Sequence, residues 1–306
     1  MSKLVECIPN FSEGKKPEVI GAIADSIASI ASARILDIHS DIDHNRSVIT
    51  YVIETVNAVE AGFCAYAKAS ELIDMTRHTG VHPRICACDV FPFVPLPGVT
   101  MEEAVILANE LGRKVGEELD IPVYLYEYAA RCEERLNLAN IRRGQYEELS
   151  KSIAYDESKK PDFGPAQMNL KAGATAIGAR GLLIAFNVFL DSQDKAIATK
   201  IADAISESKG GFKFVKALGF EIKSRNQVQV SMNLTNYQTT PVHRVFETIK
   251  TEAERYGVNV SSSEIVGLIP FEAATDLVNF YLRLQGFTKD KVLEERLRET
   301  AKTVAF

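Results

Sequence analysis

The sequence predicts an α/β (α+β) protein built from two βαββαβ passes, and three observations carry that expectation. Apolar alternation and helical periodicity follow each other as strand, helix, strand, strand, helix, strand through the first half. The same order returns after residue 181, and the stretch 150–180 between the passes loses periodicity. The domains expected are therefore 1–180 and 181–306.

In the first pass, strands are expected over Val5–Phe11, Arg34–His39, Ser47–Glu54 and Ile85–Val94, with helices over about Pro17–Ile30 and Val56–Asp74. A further helix places Ala104, Leu107, Ala108, Leu111 and Val115 on one face, and a short strand, Val123–Tyr126, follows it. The segment 150–180 gathers Lys, Asp, Gly and Pro and reads as one long connecting loop, of the kind that is functional or disordered.

In the second pass, strands are expected at 182–190, 214–222, 227–234 and 258–263, and helices at about 193–208 and 242–256, before a helical C-terminal segment, 272–303. Thr240 is placed to cap the 242–256 helix and Pro241 suits its first position, ahead of the stripe Val242, Val245, Phe246, Ile249. Two sheets with helices mostly on one side leave their other faces available to each other, which makes the junction a natural cleft.

Composition narrows the function classes. The chain has 306 residues, 46% apolar and 25% charged, enough for a sizeable core. A net charge of -6 without Lys/Arg runs argues against a nucleic-acid partner. No stretch is long and apolar enough to span a membrane, and "MSKLVECIPNFSEG" turns polar too early for a signal peptide, so a cytoplasmic protein is expected. Five cysteines without framework spacing fit reduced thiols.

The stretch "MTRHTGVHPRICACDVFPFVP", 75–95, concentrates two of the five histidines, two cysteines and an aspartate. His78, His82, Cys86 and Cys88 could number a zinc site, but "CAC" has one intervening residue rather than two, and no metal is expected. The same spacing argues against a redox pair and leaves Cys86 and Cys88 as small core residues. His82, between Gly80 and Pro83, is held extended at a strand entrance; it is either a structural histidine or a proton carrier.

Two other stretches invite substrate contact. "ILDIHSDIDHNRSV" puts Asp37 and His39 on one side of a strand and Asp41, Asp43, His44 and Arg46 in or near the loop that follows. That is a self-bonded polar hairpin or an acidic cluster for a histidine or a cationic substrate. In "QVQVSMNL", Gln227, Gln229, Ser231 and Asn233 share one face, a row of neutral donors and acceptors suited either to solvent or to a flat heterocycle.

Read together, "LVECIPNFSEG", "RHTGVHPRICACDVFPFVP", "IPVYLYEYAA", "IRRGQYEEL", "PDFGP", "GARGLLIAFNVFL", "QVQVSMNL" and "SSSEIVGLIP" resemble, in order and across nearly the whole chain, the glutamate formiminotransferase family. The resemblance implies two ferredoxin-like α/β subdomains whose sheets flank a folate-binding cleft, in a homodimer. It implies transfer of the formimino group of N-formimino-L-glutamate to N5 of tetrahydrofolate, the co-substrate, in histidine degradation. A formyl-transferring relative acting on 5-formyltetrahydrofolate, or a folate-binding protein without turnover, is the alternative.

The family's catalytic histidine falls on "GVHPR", hence on His82. Its folate-contacting loop falls on Gly164, Pro165, Ala166, Gln167, Met168, Asn169, Leu170, Lys171, Ala172 and Gly173. Asp37, His39, Asp43, Gln229 and Asn233 are the further substrate-binding candidates. Animal members carry an acidic residue where this chain has His39, so the carboxylate expected to orient His82 passes to Asp37, Asp41 or Asp43.

Overall fold

A computed structural model describes residues 3–304. The chain divides into two compact units, one running to Gly181 and one starting at Leu182.

The first unit opens with β1 (Leu4–Cys7) and β2 (Asn10–Phe11), followed by α1 (Pro17–Ala28), β3 (Arg34–Asp41), β4 (Arg46–Glu54), α2 (Thr55–Leu72) and β5 (Cys88–Pro95). The one strand expected over Val5–Phe11 is two, broken at Pro9, which has no amide to give a ladder. Next come α3 (Met101–Glu118), β6 (Val123–Glu127), α4 (Leu138–Ile141), α5 (Gln145–Ser152) and β7 (Thr175–Ala179). A capping box between Thr100 and Glu103 starts α3.

The strands lie in the order β3, β4, β1/β2, β5, β7, β6. The first four positions pair antiparallel; β7 joins β5 parallel and β6 joins β7 parallel. The expected loop 150–180 thus contains a strand. Thr175, Ala176, Ile177 and Ala179 are completely buried, and a parallel strand covered on both faces shows no polar alternation to betray it.

Residues alternate sides along β4, so Ile49, Tyr51 and Ile53 enter a core shared with Ile23 and Ile27 of α1, Tyr66 of α2, Phe91 and Phe93 of β5, and Leu111 of α3. Each fully buried side chain of this size contributes about 1.5–3 kcal/mol. Arg46, Val48, Thr50 and Val52 point to the other face, where β3 pairing adds Asp37, His39 and Asp41. A bulge at Leu36, between the pairs Ile35–Tyr51 and Asp37–Thr50, sets that phase.

The second unit repeats the order with β8 (Ile184–Leu190), α6 (Lys195–Ile205), β9 (Val215–Ile222), β10 (Gln227–Leu234), α7 (Val242–Arg255) and β11 (Val260–Val266). Its sheet runs β11-β8-β10-β9, all antiparallel. The C-terminal segment forms α8 (Phe271–Leu282) and α9 (Leu293–Val304), separated by Arg283 in a left-handed conformation. Val188, Val228, Val230, Ile201 and Ile249 form the core.

Thr240 does not cap α7: its hydroxyl donates to the Lys213 carbonyl, and Pro241 occupies the capping position itself. A tertiary acceptor won over the local amides.

Candidate active site

The sheet register gathers the candidate residues of the first unit at one end. There β3 finishes, β4 begins, and the parallel strands β5, β7 and β6 begin. His82 lies in the loop preceding β5, earlier than the strand entrance expected, because β5 starts only at Cys88.

That loop is laced to the β3–β4 turn. Asn45 donates to the Thr79 carbonyl at 2.8 Å and its own carbonyl accepts from His78 Nε2 at 2.9 Å. The Val81 amide donates to the Asp43 carbonyl at 3.3 Å. A Cβ on Gly80 would stand 2.4 Å from the His44 carbonyl oxygen, so only glycine allows this approach. His78, unassigned from sequence, is locked in place: its Nδ1 accepts from Arg84 Nε at 3.2 Å, and burial pushes its pKa down.

Arg84 also grips Glu147 of α5 with two bonds, 2.6 and 2.8 Å, which ties the loop to the start of that helix. Asp89, buried, accepts from the Ile85 amide at 2.6 Å and pairs with Arg142. Cys86 and Cys88 are buried in the core, and burial pushes both thiols up, away from redox or ligand chemistry.

The group that meets His82 is a guanidinium, where a carboxylate was expected: Arg46 donates to Nε2. The ring of His44 stands edge-on at 6.0 Å. Burial, then the charges of Arg46 and Arg142, hold the His82 pKa well below its ordinary value, so the imidazole is neutral at pH 7. With Nε2 accepting, the ring proton belongs on Nδ1 and Nε2 is the basic nitrogen. The Arg46 pKa is itself pushed down to about 10, by burial and then by Arg142.

Of the three aspartates, Asp41 is bound to His44. Asp41 accepts from the His44 amide at 2.7 Å and faces its Nδ1 at 3.1 Å; burial raises its pKa, but these bonds outweigh it and hold it at about 2. Asp37 and His39 share a half-buried face of β3, as alternation predicts, beside Thr50 and Val48. Asp43 lies in the turn whose carbonyl holds Val81.

The segment Gly164–Gly173 belongs to the same end of the sheet. Gly173 bridges Cys86, the Leu170 carbonyl accepts from Tyr146 at 2.7 Å, and Met168 is buried. Ala166 and Gln167 remain exposed. A Cβ on Gly116 of α3 would lie 2.6 Å from the Gly164 amide nitrogen, so helix and loop touch backbone to backbone.

In the second unit, Gln229 sits between Phe189 and Phe220 on the face opposite the core, fully buried, with both amide atoms lacking a partner. Asn233, on the same face, is exposed. Among the described residues no three His, Cys, Asp or Glu side chains come together as a metal would require, and no helix is long and apolar enough to cross a membrane.

Sequence reasoning missed Arg46, Arg142 and Asp89 as a set. Arg46 and Asp89 stood in stretches already singled out, and Arg142 was marked only by the adjacent arginine pair of "IRRGQYEEL".

Fold and site together define a two-unit α/β protein whose first unit presents an uncharged imidazole that accepts a hydrogen bond from a guanidinium. Comparison with known proteins is specific. Residues 4–180 match the N-terminal subdomain of the formiminotransferase domain and residues 185–301 match the formiminotransferase domain. A glutamate formimidoyltransferase of Thermoplasma acidophilum is 50% identical over 300 residues, covering 97% of this chain and 98% of that one. One from Streptococcus pyogenes is 45% identical over 97% of this chain and 99% of its own. The formimidoyltransferase-cyclodeaminase of Gallus gallus is 43% identical over 96% of this chain, which matches 55% of the longer protein. The chain belongs to the formiminotransferase family.

Proposed function

We propose that the chain is a glutamate formimidoyltransferase, moving the formimino group of N-formimino-L-glutamate to N5 of tetrahydrofolate and releasing glutamate and 5-formiminotetrahydrofolate, as in histidine degradation. The observation that carries this is the neutral imidazole of His82, with Nε2 as its basic atom, in a chain that matches two formimidoyltransferases over nearly their full lengths.

Tetrahydrofolate supplies the nucleophile, the N5 amine. As N5 bonds to the amidine carbon it must lose a proton, and the departing α-nitrogen must gain one. His82 Nε2 accepts the first and returns it to the second, so one group acts as base and then as acid. Holding both substrates against it supplies the remaining advantage through proximity. Gly164–Gly173 is the folate loop. Gln229 and Asn233 offer hydrogen bonds to the pterin edges, and the orphaned amide of Gln229 fits a heterocycle with facing donors and acceptors. Asp37, His39 and Asp43 line the approach of the cationic formimino group. The enzyme works as a cytoplasmic homodimer without a metal.

The test is spectrophotometric turnover of N-formimino-L-glutamate with tetrahydrofolate, run beside 5-formyltetrahydrofolate with glutamate. Faster formimino transfer is expected; turnover of the formyl pair alone overturns the assignment.

A further inference from the structure

We infer that Arg46 binds the α-carboxylate of the amino-acid substrate and thereby uncovers the nitrogen with which His82 takes its proton. This rests on the formimino transfer proposed above and adds the residue that recognises the donor.

Among the described residues Arg46 makes no direct ion pair, although Asp89 and Asp41 act on it from further away. Its acceptor is the uncharged imidazole of His82. The neighbouring carboxylates are committed, Asp89 to Arg142 and Asp41 to His44. A cation enclosed beside a second guanidinium, with a neutral group as its partner, is costly until an anion arrives. A guanidinium also offers a paired fork that matches a carboxylate better than it matches one ring nitrogen.

Bond counting selects which carboxylate. The imidazole nitrogen must lie about 3 Å from the nitrogen whose proton it transfers. Arg46 already touches that imidazole, so its anion must lie close to the reacting nitrogen. The α-carboxyl carbon is two bonds from the nitrogen that leaves, whereas the γ-carboxyl carbon is four. The α-carboxylate is the group within reach.

The exchange also explains how the base is freed. While Nε2 accepts from Arg46 its lone pair cannot take a proton from N5. When the Arg46 N–H groups turn to the carboxylate, the lone pair opens and the nearest positive charge is neutralised. The base is then available only when the amino-acid substrate is seated.

Two measurements test this. In the wild-type chain labelled with ¹⁵N-histidine, saturating L-glutamate is expected to move the His82 Nε2 resonance and to raise its titration towards the ordinary histidine value. L-isoglutamine, which carries an α-carboxamide, is expected to do neither. The other groups around the ring, Arg142, His44, Asp89 and Asp41, are common to both titrations. Equal responses to the two ligands, or none to glutamate, overturn the inference.

In kinetics, replacing the donor's α-carboxylate by a carboxamide is expected to cost the wild type on the order of 10- to 100-fold in kcat/KM, the range of a charge-assisted bond. The same change is expected to cost Arg46→Met under about 3-fold, with KM for tetrahydrofolate little altered. Equal penalties in both overturn the Arg46 assignment alone. A wild type that does not turn over N-formimino-L-glutamate overturns the proposed function instead.

Discussion

An imidazole that must accept a proton works only when it arrives uncharged, and the surroundings of His82 secure that by burial and by two positive neighbours. The proton returns when the solution is acid enough to overcome both. The acid limb of kcat/KM is therefore expected below pH 6.5, and Arg46→Met is expected to move it upward; a wild-type limb at or above 6.5 contradicts the arrangement. Stability carries the same sign. The unfolded histidine binds its proton at higher pH than the folded one, so stability rises with pH through this interval, and thermal midpoints are expected to fall on acidification below 6.5. Asp89 anchors the set: it is 2% exposed in its side chain and holds both Arg142 and the Ile85 amide. Asp89→Ala strands a partly buried guanidinium and is expected to cost about 3–5 kcal/mol by denaturant unfolding, whereas a loss within 0.5 kcal/mol would show the pair to be idle. At this scale the sequence pointed to His82 and to the stretch holding His44 and Arg46, but not to their meeting. Arg46 and Arg142 are far apart in the chain, and only the tertiary fold makes them adjacent.

Strands and helices were easier to read where the two faces differ in polarity. β10 alternates as its sequence does, with Val228, Val230, Met232 and Leu234 in the core and Gln229 on the opposite face. β7 was invisible for the opposite reason: "TAIGA" is short, small and buried on both sides, so nothing marks it off from a loop. Thr240 was misread because a side chain that can cap a helix can also serve a distant carbonyl, and the sequence does not show the carbonyl. Two expectations belong to these elements. Gln229→Leu removes a buried amide without partners and is expected to leave stability unchanged or raise it by about 1–3 kcal/mol, while weakening tetrahydrofolate binding; unchanged folate affinity would remove Gln229 from the site. Gly116→Ala presses a methyl against the Gly164 backbone and is expected to cost about 1–3 kcal/mol in thermal or urea unfolding and to raise KM for tetrahydrofolate more than KM for the donor.

Over the whole molecule the repeated βαββαβ order was legible because each pass closes its own core, one around Tyr51 and Phe91 and the other around Val188 and Val230. The proposed mechanism gives the proton-handling histidine to the first unit. Its central claim is that His82 moves the protons of formimino transfer. The most direct measurement is turnover of N-formimino-L-glutamate with tetrahydrofolate by the wild type and by His82→Ala, with folate binding followed in parallel by fluorescence. Turnover is expected to fall by about 10²- to 10⁴-fold while folate affinity stays within about 3-fold. Near-normal turnover by His82→Ala would contradict it.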